Sequence, residues 1–169
     1  MRGAMDPQHF YETLVGADEV GVRLEMVMGN YNWEFHPSPL HTMAAKDIET
    51  SIQPIVGGGG CGCYTLQDVY ISFPDGSFKR PDISIFCKRP EPTQEALKVI
   101  PEAIIEVVSP GSESKDLEIG PPFLLSQGVK DVVVFNPASR LVHHFRRDGS
   151  KQHTSPITID LECGCRVTV

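Results

Sequence analysis

Two carboxylates stand where carboxylates are costly. Asp82 opens the stretch Asp82-Ile83-Ser84-Ile85-Phe86-Cys87, in which Ile83, Ile85 and Cys87 share one face of a strand and Asp82 falls on the other. Glu106 interrupts Ala103-Ile104-Ile105-Glu106-Val107-Val108, an apolar run of strand length that reads as a central strand buried on both faces. A charge on a buried strand is disfavoured by desolvation unless it is paired, hydrogen-bonded or bound to a cation. Two of them on neighbouring strands point to a metal site. Taken singly, each has an ordinary alternative: Asp82 bonding turn amides, and Glu106 pairing with a base such as Arg80.

The cysteines form a second grouping. Cys61-Gly62-Cys63 and Cys163-Gly164-Cys165 are matching triplets, and four thiolates could hold a structural zinc if the fold brought them together. The alternative is small buried thiols flanking glycine turns. Five cysteines in all, with no basic-then-apolar leader pattern, lead to the expectation of reduced thiols in a cytoplasmic protein rather than a disulfide framework. Other chemistry finds little support. There is no Gly-x-Ser-x-Gly elbow, Gly57 to Gly60 lacks the Gly-Lys-Ser/Thr ending of a phosphate loop, and His143 and His144 point to opposite faces of a strand.

The elements that must position these groups follow from periodicity. Val20 to Met28 alternates as a strand, Gly29-Asn30 turns the chain, and Tyr31 to Phe35 returns. Leu40, Met43, Ala44 and Ile48 recur at helical spacing over Leu40 to Ile52, after a possible cap at Ser38. Tyr64 to Pro90 reads as one hairpin turning at Pro74-Asp75-Gly76-Ser77, and Phe123 to Gln127 as a short helix ended by Gly128. Asp131 to Phe135 and Leu141 to Arg146 pair as strands, and Ile157 to Leu161 with Cys165 to Val169 supplies one or two more. Met1 to Pro7 has the look of a vector-derived or disordered leader, leaving 8–169 as one expected domain.

Composition bounds the function. The 169 residues, 40% hydrophobic and 22% charged, suit one globular unit. No apolar run approaches the roughly 18 to 20 residues that a bilayer requires. The net charge of -7 argues against a uniformly basic coat for nucleic acid. The excess is uneven, however: residues 1–75 carry ten acids and three bases, whereas residues 76–169 carry twelve of each. The bases of the second part fall in pairs, Lys79-Arg80, Lys88-Arg89 and Arg146-Arg147, and a polyanion would meet that part first.

The order of several short motifs resembles the bacterial putative restriction endonuclease family of the PD-(D/E)XK nuclease superfamily. The motifs are Leu24-Glu25-Met26-Val27-Met28-Gly29, a helix beginning at His41, Arg80-Pro81-Asp82, Ile105-Glu106-Val107-Val108-Ser109-Pro110, and Gly128-Val129 before a strand ending Asn136-Pro137. The resemblance implies an α+β, restriction-endonuclease-like core, a mixed central sheet flanked by helices, with additional β-hairpins. It implies Asp82 and Glu106 as ligands of Mg²⁺ or Mn²⁺, the Val107 carbonyl as a further ligand and Glu25 completing the acidic cluster. It also implies a catalytic lysine on the helix after the Ser-Pro turn, where this chain has Gly120 followed by Pro121-Pro122; Lys115 is the nearby substitute.

Three functions are therefore in competition. The first is a metal-dependent endonuclease that hydrolyses DNA phosphodiester bonds, as a homodimer by analogy. The second is a degenerate nuclease fold that binds nucleic acid or a protein. The third is a small zinc-stabilised interaction domain.

Overall fold

The structure, a computed structural model, describes residues 6–169. Among the described residues three helices lie in chain order: α1 (Pro7–Glu19), α2 (Pro39–Ser51) and α3 (Gly120–Ser126), the last entered through a π-helical turn at Lys115–Ile119. The central sheet has six strands, β4 (Tyr64–Gln67), β7 (Ile83–Phe86), β8 (Ala103–Val107), β9 (Asp131–Asn136), β10 (Leu141–Arg146) and β11 (Gly149–Thr154), in spatial order β11-β10-β9-β8-β7-β4. Its β8 and β9 run parallel and its other neighbours antiparallel, so the sheet is mixed. A four-stranded sheet orders β2 (Asn30–Phe35), β1 (Val22–Val27), β6 (Phe78–Lys79) and β5 (Ile71–Ser72), and a three-stranded one orders β12 (Thr158–Asp160), β13 (Cys165–Thr168) and β3 (Gln53–Pro54).

Alternation along the buried strands sorts the core into two layers. Ile83, Ile85, Ile105 and Val107 face Ala45 and Ile48 of α2 and Val167 of β13. Ile104, Val132 and Val134 face Phe123 and Leu124 of α3. Glu106, in phase with Ile104, falls on the α3 side, whereas Asp82, at the head of β7, is reached by His41 of α2. On α2, the buried positions His41, Ala45 and Ile48 fall at i, i+4 and i+7, one stripe whose first member is polar. Ser38 caps that helix and Pro39 occupies its first position, as helix starts favour.

Several expectations change. Tyr64 to Pro90 is not one hairpin: β4 pairs with β7, but Ile71 and Ser72 leave for the small sheet and pair with Lys79 and Phe78. Asp68, with φ 59°, makes the break, and its amide donates to the Pro81 carbonyl at the end of the ladder. The thiols are not all reduced: Cys61–Cys87 and Cys63–Cys165 are disulfides and only Cys163 is free. Asp6 caps α1 and Pro7 opens it, so these two belong to the fold, whereas the rest of the expected leader, Met1 to Met5, lies outside the described residues. Strand β11 escapes the periodicity because Ser150, Lys151 and Gln152 are exposed and polar, paired to β10 through backbone alone.

One buried carboxylate ties three elements together. Asp131 on β9 accepts from His144 Nε2 and Arg146 Nε of β10, each at 2.6 Å, and from the Glu162 amide beyond β12 at 2.8 Å. Burial opposes its charge, but the His144 and Arg146 bonds hold it below the usual carboxylate range. Asp131→Ala should cost about 3 kcal/mol, because it leaves those donors unmatched. Because the folded value is lowered, the stabilisation is complete above the ordinary Asp value and is lost as pH falls through the folded one. Urea unfolding of both proteins at neutral and acid pH checks this; a gap that persists unchanged into acid would contradict the assignment.

Candidate active site

Strand register brings the two motif carboxylates face to face. Ile83 pairs with Ile105 across β7 and β8, so the preceding Asp82 and the following Glu106 oppose one another. The Asp82 amide donates to Glu106 Oε2 at 3.1 Å, and the Val107 amide donates to Asp82 Oδ2 at 2.7 Å. A second opposition comes from the small sheet. Met26 pairs with Phe78, which sets Glu25 of β1 against Lys79 of β6, and Lys79 Nζ donates to Glu25 Oε2 at 3.0 Å.

The remaining partners arrive from α2, β1 and the π-turn. His41 Nε2 donates to Asp82 Oδ2 at 3.1 Å, and Arg23 Nη1 to Asp82 Oδ1 at 3.0 Å. Lys115 places Nζ 3.1 Å from Asp116 Oδ1, 3.5 Å from Glu34 Oε2 and 3.7 Å from Glu25 Oε2. The π-turn allows this reach. The Gly120 amide bonds the Lys115 carbonyl five residues back, and a Cβ at Gly120 would come 3.0 Å from that oxygen, so residue 120 is pressed against backbone while Lys115 faces the carboxylates.

These neighbours divide the carboxylates into charged and neutral. Burial would raise Asp82, but the His41 hydrogen bond and the Arg23 guanidinium hold it well below the usual range. Glu25 is likewise held low against burial by Lys115, Lys79 and Arg23. Glu106, 3% exposed, goes the other way: burial and then the Asp82 charge push it well above its ordinary value. Burial also raises Glu34 and Asp116. Lys115 is pushed up by Glu25 and Glu106 despite burial, so its ammonium is retained.

All four side chains singled out from sequence, Glu25, Asp82, Glu106 and Lys115, are thus gathered in one buried cluster, with Val107 adjoining. Three members were missed. Lys79 stands beside Arg80 in sequence as a basic pair, yet it is only 1% exposed and is spent on Glu25. Arg80 bonds Asp18 and Asp68, and does not partner Glu106. The missed signal was the strand period, which forces adjacent bases to opposite faces, one of them inward. Arg23 shares the Glu25 face by that rule, and His41, at the start of α2, turns its imidazole onto Asp82.

A cleft of about 410 Å³ opens beside this cluster, lined by Trp33, Glu34, His36, Ser38 and residues 109–112. A larger one, about 470 Å³, lies between α1 and the 89–97 segment and touches the cluster only through Arg80 and Asp68. The first is the entrance relevant to Lys115, because Glu34 and Ser112 bind it directly or through Asp116.

Comparison with known proteins gives the family and the fold. The Uma2 family, described as "Putative restriction endonuclease", matches residues 7–162. The chain belongs to the Uma2 family. A crystallised DUF820 protein from Anabaena variabilis, described as a putative nuclease, superposes with a TM-score of 0.63 at 17% identity, over 81% of this chain and 80% of its own. At that identity the likeness is one of fold. Among curated proteins none matches.

The donor set of this Uma2 chain suits a hard divalent cation. Among the described residues Glu106 Oε1 is buried without a hydrogen-bond partner, and Asp82 Oδ1, accepting from Arg23 alone, keeps an acceptor position. Five carboxyls (Glu25, Glu34, Asp82, Glu106, Asp116) meet three permanent cations (Arg23, Lys79, Lys115), an excess that proton uptake by Glu106 relieves when no metal is bound.

A stability prediction follows from Glu106. Its folded value is raised, so the folded state binds more protons than the unfolded, and stability falls as pH rises from the ordinary Glu value towards the folded one. Glu106→Gln removes that loss. In chelator, its Tm should exceed that of the parent at pH 8 by on the order of a few degrees, the difference closing near pH 4. An equal difference at both pH values would contradict a raised Glu106.

Proposed function

We propose that this chain is a metal-dependent endonuclease that hydrolyses DNA phosphodiester bonds. The observation that carries the reading is the unpartnered, buried Glu106 Oε1 opposite Asp82, within a cluster holding more carboxyls than cations. The family description points to the same reaction class. Asp82, Glu106 and the Val107 carbonyl would hold Mg²⁺, or Mn²⁺ in its place. Such an ion, when bound, supplies charge neutralisation at the scissile phosphate and a water of lowered pKa.

The chain's own residues supply the rest. His41 and Arg23 keep Asp82 ionised and aimed, a task that bare burial would oppose. Lys79 and the Arg80 amide, 3.0 and 2.9 Å from the Glu25 carboxylate, fix that group, and Glu25 in turn steadies Lys115. Lys115, held protonated, acts as positive charge beside the developing phosphorane oxygens rather than as a base. The attacking water gives up a proton to solvent as its oxygen bonds phosphorus, and the P–O ester bond breaks, the leaving oxygen taking a proton back from solvent. The cleft at Trp33 and residues 109–112 is the route by which a backbone phosphate would approach. Cutting both strands needs two such sites, which a homodimer would provide.

Cleavage of supercoiled plasmid in Mg²⁺ or Mn²⁺ tests the proposal. Asp82→Ala and Glu106→Ala should abolish nicking, and Lys115→Met should slow it by about two orders of magnitude. Absence of cleavage by folded, metal-supplied protein would sink the hydrolytic reading, and retained DNA binding in that case would mark a binding module on a nuclease fold.

A further inference from the structure

All five cysteines converge on one end of the molecule, away from the acidic cluster. Asp82 precedes β7 and Cys87 follows it, five residues or about 16 Å along the same strand. Cys61 and Cys63 lie on the loop before β4, and Cys163 and Cys165 on the turn into β13. The sulfurs of Cys61, Cys63 and Cys165 fall within 4.8 Å of one another, as do those of Cys61, Cys87 and Cys163. Cys61 Sγ and Cys165 Sγ, which belong to different disulfides, are 3.6 Å apart.

That crowding exceeds what two separate cross-links require. Two disulfides need no contact between them, and neither needs a fifth thiol at its side. A tetrahedral zinc with four Zn–S bonds of about 2.3 Å holds its sulfurs about 3.8 Å apart, close to the 3.6 Å between Cys61 Sγ and Cys165 Sγ, and Cys87 Sγ, tied to Cys61 in its bridge, is freed to turn towards that set on reduction. The backbone is shaped for close approach at both triplets. The Gly62 amide donates to the Cys87 carbonyl at 2.9 Å, and a Cβ at residue 62 would lie 3.0 Å from that oxygen. A Cβ at Gly164 would lie 2.0 Å from the Gly58 carbonyl oxygen, and Gly164 also has φ 97°. Each triplet therefore uses glycine to bring its two cysteines over a neighbouring loop.

We propose that the reduced chain binds one Zn²⁺ through the four sulfurs of its two bridges, Cys61, Cys63, Cys87 and Cys165, with Cys163, which is in neither bridge, beside the ligand set and outside it. The disulfides and the zinc site are two states of the same four sulfurs. A dithiol reductant supplies two electrons and two protons to each disulfide and is itself oxidised; the four thiols then release four protons as they bind the cation. The ion joins the 55–63 loop, the end of β7 and the β12–β13 turn, so the site is structural and independent of the acidic cluster.

Protein purified with a dithiol reductant and dialysed free of loose metal should carry one equivalent of zinc, and chelation in denaturant should then expose five titratable thiols. Replacing the zinc by Co²⁺ should produce the sulfur-to-cobalt charge-transfer and intense visible bands of a tetrahedral thiolate site. Cys61→Ser should lose the stoichiometric metal, while Cys163→Ser should keep it. Folded parent protein showing no bound zinc and no such cobalt spectrum overturns the proposal, whatever the folding of the variants. So does metal retained by Cys61→Ser, or lost by Cys163→Ser.

Discussion

The opposition of Asp82 and Glu106 across β7 and β8 is the constraint around which the structure is arranged. Two carboxyls facing one another in a buried sheet cannot both carry charge cheaply. The chain resolves the conflict asymmetrically, giving His41, Arg23 and the Val107 amide to Asp82 and leaving Glu106 with one amide and a bare oxygen. Each donor comes from a different element, so α2, β1 and β8 must dock in fixed relation for Asp82 to remain ionised. The small sheet exists in that relation for a visible reason: it carries Arg23 and Glu25 on one strand and Lys79 on its neighbour.

Much of this arrangement was legible because the two sheet-forming motifs break local patterns. Glu106 stands out within an apolar run, and Asp82 stands out at the head of an alternating one, so desolvation alone flags both. Their adjacency followed from strand order, and the central sheet was readable for the same reason. Lys79 and Arg23 were less visible, since each sits beside ordinary surface charges and only a known register shows which neighbour faces inward. The break at Asp68 could not be read either, because a single left-handed residue redirected a strand whose side chains still alternated.

The lysine is the instructive case. Alignment by motif places Gly120 where a helical lysine is expected, so spacing alone leaves the chain without the group. The π-turn changes the relation between sequence position and direction: one additional residue per turn shifts every later side chain around the helix axis. Lys115 therefore occupies the place relative to Glu25 that spacing alone denies it. The cysteines teach the converse lesson, because identical triplets 102 residues apart correctly hinted at convergence although neither triplet defines a local structure.

The cluster also constrains the order in which the chain can fold. Glu25 and Lys115 are ninety residues apart, and Asp82 meets partners at positions 23, 41 and 107. The hairpins β1–β2 and β10–β11 close over a few residues, so they are free to form early; the charge cluster must await the parallel pairing of β8 with β9 and the crossover that carries Lys115. Burial of those charges thus rests on contacts between distant parts of the chain, so the site from which the chemistry would be conducted bears a large loop-closure cost.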